Sequence, residues 1–290
     1  MIQPPIPDGI DEAVIERIIQ DALDEDLGLD GDITSYATIA EDVRFSGVLS
    51  AREQMVVAGI NIAARVFSSL SDDIKWSSLV KDGDIVEKGK VLAGIEGPAR
   101  ALLAGERTAL NLLQHLSGIA TTTRQYVDAI KGTNAVILDT RKTIPGLRDL
   151  AKYATRMGGA TNHRMRLDDA VLIKDNHIIA AGGVAAAIKN AKAAKLSPIE
   201  VECDTMAQVE EALHAGVDAI LLDNMNNDAL SKAVKLINGR ARSEASGGVH
   251  IENVRAIAET GVDAISIGRI TQSAPAVDIG LDWAANQFDK

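Results

Sequence analysis

At 290 residues and 46% hydrophobic content, the chain can hold one large domain or two moderate ones with an ample core. Its net charge of -11 excludes general nucleic-acid binding through a basic face, yet leaves room for a local anion site. A single cysteine, Cys203, excludes an intramolecular disulfide and a Cys-rich metal centre, and no apolar run approaches the ~20 residues of a membrane span.

The N-terminus, Met-Ile-Gln-Pro-Pro-Ile-Pro-Asp-Gly, lacks a basic n-region and an apolar h-region, so the cytoplasm is the expected location. These Pro-rich residues read as an arm. Asp11 to Leu27 has the spacing of an amphipathic helix, with Ile15, Ile18, Ile19 and Leu23 on one face. Gly28 and Gly31 end it, and Asp32 opens a loop. Val43 to Val57 alternates like strand, and Ile60 to Leu70 reads as a short helix. From Leu79 to Gly97, short β-favouring pieces are punctuated by Gly83, Gly89, Gly94 and Gly97. The stretch is similar to biotinyl and lipoyl carrier sandwiches, but the lysine attachment hairpin is missing, which favours a plain β unit.

Pro98 to Lys131 is helical in pattern. Ser117-Gly118 marks a break or a close contact, and the boundary between two domains is placed there. The expected domains are 1–117 and 118–274, with the segment 275–290 a candidate to pack with the first. Beyond Ala135 one unit repeats. Strands are expected at Val136–Asp139, Ala170–Ile173, Ile199–Glu202, Ala219–Asp223, Ala241–Ser246 and Ala264–Gly268. Ala- and Leu-rich helices alternate with the later ones (184–194, 206–215, 228–237, 251–260). The pentapeptide Gly216-Val-Asp-Ala-Ile220 recurs as Gly261-Val-Asp-Ala-Ile265. Alternating buried strands and helices indicate a parallel α/β barrel, incomplete because no clean eighth strand is found.

In such a barrel the site lies at the C-terminal strand ends. Those ends carry Asp139, Thr140, Arg141 and Lys142; then Lys174; then Glu202 and Asp204; then Asp223; then Ser246, Gly247 and Gly248; then Gly268 and Arg269. Ser-Gly-Gly and Ile-Gly-Arg suit a phosphate held by backbone N–H groups, although either alone is equally a turn. Arg141, Lys142, His163, Arg164 and Lys174 form a cationic set suited to a ligand with more than one anionic group. Arg148, Lys152 and Arg156 read instead as a solvated helix face. Glu202 and Asp223 can hold Mg²⁺, accept from ribose hydroxyls, offset developing positive charge, or merely balance Lys174. His115 and His214 read as structural, and Cys203 as a small strand residue. A Schiff-base aldolase using Lys174 and an inactive phosphosugar-binding barrel remain open alternatives.

The residues that decide among these are Leu138-Asp-Thr-Arg-Lys-Thr-Ile-Pro-Gly-Leu-Arg148, Asn162-His-Arg164 and Leu172-Ile-Lys-Asp-Asn-His177. Supporting them, in order and spacing, are Ala22–Ser35, Gly105–Asn111, Leu116–Thr121, Glu200–Glu202, Leu222–Asn224 and Ser246–Gly248. Together they resemble the quinolinate phosphoribosyltransferases over nearly the whole chain. The resemblance implies an N-terminal α/β sandwich domain, an incomplete TIM-like barrel, and phosphoribosyl transfer to quinolinate with decarboxylation. It also implies Mg²⁺ as cofactor and a homodimer or hexamer. By position, Arg107 (from the partner subunit), Arg141, His163, Arg164 and Lys174 would grip the quinolinate carboxylates, with Thr140 beside them. Lys142 would meet the pyrophosphate. Glu202 and Asp223 would meet the ribose and Mg²⁺, and Ser246, Gly247, Gly248 and Gly268 would seat the 5′-phosphate. The catalytic candidates are Lys142, Lys174, Glu202 and Asp223. Two positions depart from the family pattern, Ala160 and Arg166, where glycines are common.

Overall fold

The protein is described from a computed structural model covering residues 4–285, with only the backbone considered for the last two. In chain order, α1 (Glu12–Leu27) and α2 (Ile33–Thr38) precede β1 (Arg44–Ala51) and β2 (Met55–Val56). Then follow α3 (Ile60–Ser68), β3 (Lys75–Ser78), β4 (Ile85–Val86), β5 (Val91–Pro98) and α4 (Ala99–Ala129). The βα series comprises β6 (Val136–Leu138), α5 (Arg148–Met157), β7 (Val171–Ile173), α6 (Asp175–Ala181), α7 (Val184–Ala193) and β8 (Ile199–Cys203). It continues with α8 (Met206–Ala215), β9 (Ala219–Asp223), α9 (Asn227–Ile237), β10 (Arg242–Ser246), α10 (Val254–Ala258), β11 (Ala264–Ser266) and α11 (Arg269–Gln272), and β12 (Ile279–Ala285) follows it.

Two compact units result. The first holds the described residues up to Thr122, Ile144–Gly158, and those from Ser273. Its antiparallel sheet has the order β12-β1-β5-β3, so the C-terminal strand pairs with β1 from Phe45↔Ala285 to Ala51↔Ile279. Leu49, Phe67, Leu92, Leu102, Leu113 and Leu116 are fully buried in its core. The strand expected over 43–57 is two strands, because Arg52-Glu-Gln54 interrupts the apolar alternation. The loop expected after Asp32 is the short helix α2, which Asp32 caps by accepting from the Thr34 and Ser35 amides.

One open expectation is decided and another needs correction. Helix α4 runs without a break through Ser117-Gly118 for 31 residues. Of the two readings of that pair, the close contact holds: Ser117 Oγ accepts from the Ala58 amide, and a Cβ on Gly118 would lie 2.1 Å from the Pro275 carbonyl oxygen. The basic residues of α5 are not one solvated face. Lys152 is fully buried, because every residue from Leu150 to Thr155 is buried. Arg156 stacks on the Tyr153 ring at 5.5 Å and donates to the Asp8 carbonyl. Tyr153 in turn donates to Asp82 at 2.6 Å.

The second unit, Thr123–Thr143 with Gly159–Gln272, is a parallel six-stranded sheet of order β6-β11-β10-β9-β8-β7. Its end strands β6 and β7 do not pair; instead Thr161 bridges to Leu138 of β6 in parallel sense. The apolar core includes Ile173, Val201, Ile220, Leu222, Ala245 and Ile265, contributed by five adjoining strands. The repeated pentapeptide has a repeated job. Its glycines, Gly216 and Gly261, take left-handed φ values of 74° and 93° that turn the chain out of helix. Its aspartates then fasten the start of the preceding strand: Asp218 accepts from the Ile199 amide at 2.7 Å, and Asp263 from the Ser243 amide at 2.8 Å.

Gly118→Ala sets two effects against each other. Alanine favours a helix interior by about 1 kcal/mol over glycine, but overpacking against fixed backbone costs about 1–3 kcal/mol or more. Net destabilisation in urea titration is the expected result, and a gain in stability would refute the close contact.

Candidate active site

Buried parallel strands leave their C-terminal ends as the place where polar side chains meet solvent. Glu202 and Cys203 end β8, Asp223 ends β9, Ser246 ends β10, and Gly268 follows β11 by two residues. Register brings these ends together: Asp223 lies opposite Ser246, and Glu202 opposite Leu221. Just beyond β7, Lys174 pairs closely with Glu202. Burial raises the Asp223 pKa, and the neighbouring Glu202 charge adds to that, while Lys174 works the other way.

The phosphate-type geometry is also present. Gly247 and Gly248 both have left-handed φ, 90° and 59°. A Cβ on Gly247 would lie 2.1 Å from Asn224 Oδ1, so only glycine fits there without displacing that side chain. Gly268 similarly admits the Lys142 side chain, whose Cδ would be 2.8 Å from an added Cβ. Lys142 is held from both sides, its amide donating to Thr140 Oγ1 at 3.0 Å and its carbonyl accepting from Thr271 at 2.8 Å.

The cationic side is organised by Asp139, fully buried just after β6. It accepts from the Asn162 side chain and from the His163 amide at 2.9 Å, drawing residues 162–163 to the strand end. The adjacent Arg164 donates to the Ala170 carbonyl at 3.0 Å. Burial lowers its pKa, and the charge of Arg141 lowers it further, so two guanidinium groups repel one another here. Arg141 Nε is buried and makes no hydrogen bond. Two adjacent cations with an unanswered buried donor describe a seat for an anion.

His163 lies deeper, its Nε2 3.0 Å from Glu200 and 3.5 Å from Glu244. Burial opposes charge on the ring, but the two acids outweigh it and draw the pKa up to about 9. Its Nδ1, however, accepts from the Arg164 amide at 2.9 Å. A ring charged by its glutamates carries a proton on Nδ1 and must give up that bond, so the Arg164 amide and the two acids compete for the ring's protonation state. Burial raises the Glu200 pKa; that of Glu244 is lowered despite burial, because the imidazole stands beside it.

The second unit thus assembles Thr140, Arg141, Lys142, His163, Arg164, Lys174, Glu202, Asp223, Ser246, Gly247, Gly248 and Gly268 on its strand ends and following loops. Arg107 belongs to the first unit, exposed on α4. Ala160 is buried in the barrel core beside Gly159, whose φ of 96° supplies the turn, so no third glycine is required. Arg166 is exposed and donates to Asp168. Sequence reasoning did not assign roles to Asp139, Glu200 and Glu244. For Asp139 and Glu200 the available signal was an acid within or directly after an apolar strand, where burial demands a partner; the polar sequence of β10 gave none for Glu244.

The family model for the N-terminal domain of quinolinate phosphoribosyl transferase matches residues 32–117, and that for its C-terminal domain matches residues 119–282. The chain belongs to this family. Within it, the probable nicotinate-nucleotide pyrophosphorylase (carboxylating) of Bacillus subtilis is 42% identical over 270 residues, covering 92% of this chain and 93% of its own. That of Mycobacterium leprae is 43% identical, covering 91% and 95%. Among solved structures of quinolinate phosphoribosyltransferase relatives, the Ehrlichia chaffeensis pyrophosphorylase superposes with a TM-score of 0.91 at 46% identity, covering 95% of this chain and 100% of its own. The Francisella tularensis structure gives 0.92 at 37% identity, covering 97% and 99%. The expected mixed α/β fold, with a small N-terminal sheet domain and a six-stranded parallel C-terminal sheet, therefore stands.

Cys203 offers a check on this packing. It is fully buried, and burial, helped by Asp204, Glu202 and Glu211, pushes its thiol pKa up to about 12. The folded protein therefore keeps a proton that the unfolded chain releases from about pH 9, its ordinary value. Stability should fall as pH rises from there towards 12. Native protein at pH 8 should react with Ellman's reagent far more slowly than urea-unfolded protein; equal rates would contradict the burial.

Proposed function

We propose that this chain transfers the 5-phosphoribosyl group from 5-phosphoribosyl 1-pyrophosphate to quinolinate and releases CO₂, giving nicotinate mononucleotide and pyrophosphate in de novo NAD synthesis. The observation that carries this is the juxtaposition of Arg141 and Arg164, with an unbonded buried Arg141 Nε, beside the carboxylate-bearing strand ends. Quinolinate brings two carboxylates to such cations. Lys174 is ion-paired with Glu202 and its side chain is 46% exposed, unlike the desolvated lysine of an aldolase-type Schiff base.

In the proposed reaction the pyridine nitrogen attacks the anomeric carbon as the bond to pyrophosphate breaks. Glu202 and Asp223 stabilise the positive charge that develops on the ribose, and they accept from its hydroxyls. Lys142, against Gly268, neutralises departing phosphate. The bond to the 2-carboxylate then breaks, its electron pair stays on the ring carbon, and that carbon takes a proton. Arg141, Arg164 and Lys174 hold the remaining carboxylate and exclude water. Gly247 and Gly248 present backbone N–H groups to the 5′-phosphate.

Magnesium fits the acidic side of the site. Two neighbouring carboxylates share one cation, Lys174, with Asn224 and Ser246 also bonding Asp223, and burial and Glu202 still raise the Asp223 pKa. Asp223 and Glu202 would hold the ion directly or through water, and it would neutralise pyrophosphate charge. We place the enzyme in the cytoplasm, as a homodimer or hexamer. Arg107, exposed on α4, would enter the neighbouring subunit's site.

Purified protein mixed with quinolinate, phosphoribosyl pyrophosphate and Mg²⁺ should form nicotinate mononucleotide, whereas nicotinate in place of quinolinate should not. Absence of product at any protein concentration would end the proposal. Lys174→Ala should lower kcat/KM by about 100-fold or more. Inactive Arg107→Ala mixed with inactive Lys174→Ala should regain activity through hybrid sites. No regain, with subunit exchange verified, would argue against a shared site.

A further inference from the structure

Among the described residues, three non-glycines hold a left-handed φ: Lys195 at 57°, Asn238 at 45° and Asn224 at 54°. The first two follow helices α7 and α9, where such a turn commonly ends a helix. Asn224 instead follows strand β9, directly after Asp223 and at the rim of the candidate site. It is exposed, so water is available to its side chain and burial gives no reason for its contacts. Those contacts nevertheless run to site residues. Its backbone amide donates to the Ser246 carbonyl at 2.9 Å. Its side-chain amide donates to the Asp223 carboxylate at 2.6 Å. Its Oδ1 lies against Gly247, 2.1 Å from where a Cβ on that glycine would stand, and its backbone nitrogen is 2.8 Å from the same point.

We infer that Asn224 is a positioning residue: it joins the Asp223 carboxylate to the Ser246-Gly247-Gly248 loop and so sets the span between the groups that meet the ribose hydroxyls and the 5′-phosphate. This role rests on the phosphoribosyl reading above. Parallel pairing places Asp223 opposite Ser246, but the register ends at that pair, and Gly247 and Gly248 lie beyond it. Asn224 carries the connection past the end of the ladder, because its left-handed turn folds the side chain back over Asp223 and Gly247. Only glycine, asparagine and aspartate take that conformation at small cost. Of these, asparagine alone brings a neutral donor to Asp223. An aspartate would set a second negative charge beside the first and beside a bound phosphate. A glycine would leave Asp223 without that donor and Gly247 without its backing. The residue type thus follows from conformation and charge together.

Calorimetry with ribose 5-phosphate, with phosphoribosyl pyrophosphate and Mg²⁺, and with quinolinate tests the assignment. Asn224→Gly accepts the left-handed backbone, so its urea midpoint should match that of wild type. It should weaken both phosphorylated sugars about tenfold, equivalent to loss of one net hydrogen bond. It should leave quinolinate within about twofold. Asn224→Asp fills the same space but should weaken the sugars further, by about 100-fold, through repulsion of Asp223 and of the phosphate. A residue that merely shaped the turn would give the opposite order, because aspartate is nearly isosteric and tolerates the same φ. The double variant Gly247→Ala/Asn224→Gly should bind ribose 5-phosphate no more weakly than Gly247→Ala, because the added methyl already displaces the side chain that the second change removes. Unchanged sugar binding in Asn224→Gly, the opposite order of the two variants, or strictly additive losses in the double variant would overturn the assignment. Wild-type protein that binds ribose 5-phosphate but forms no nicotinate mononucleotide would overturn the functional proposal alone, and the same titrations would still judge Asn224. Wild-type protein that binds neither sugar phosphate would overturn both.

Discussion

The barrel does not close by strand pairing, and one buried carboxylate stands at the open seam. Strands β6 and β7 end the six-stranded order without hydrogen bonding to each other. Asp139, fully buried, gathers the Asn162 side chain and the His163 amide, while Thr161 bridges to Leu138. Without that acceptor, the segment carrying Arg164 would have no fixed place beside Arg141. An aspartate buried this deeply is tolerated because donors surround it. The same donors are the chain segment that the site needs in position.

Beyond the seam, the site is a layered arrangement of charge. Below lie the strand-borne acids Glu200 and Glu244 with His163 between them. Above lie Lys174 with Glu202, then Asp223 opposite Ser246. Beside them stand the two arginines, drawn together despite their like charge. Cations that repel one another in a partly buried place are favourable only in exchange for a bound anion. Acids at the strand ends where the ribose is proposed to lie are suited to a transition state that is briefly positive. The two halves of the proposed reaction thus have separate electrostatic environments built on one sheet.

Much of this was legible in the residues. Most of the barrel strands were readable because they are short, largely apolar runs that end in charge or glycine, with the polar β10 (Arg242-Ser-Glu-Ala-Ser246) the exception, and helices follow the later runs at regular intervals. Strand β9 and helix α8 have the bounds expected from the sequence. Family motifs then named the site. What stayed hidden depends on contacts distant in sequence. Gly118 could be a helix break or a close contact until Pro275 is seen against it. Lys152 looks like surface until the burial of Leu150 to Thr155 around it is known. Glu200 and Glu244 are 44 positions apart, and only parallel pairing through β9 brings them to one imidazole. Helix α2 was missed because its six residues are too few for periodicity to register.

The twin aspartates Asp218 and Asp263 fasten strand starts, at the opposite end of the sheet from the candidate active site. Folding and chemistry are thereby assigned to different rims of the same barrel. Lineages that inherit such a scaffold can exchange residues at the reactive rim, and so drift toward other anionic substrates, while the fastening at the far rim keeps the chain folded. Evolvability in this architecture is a property of where its strongest ties are placed.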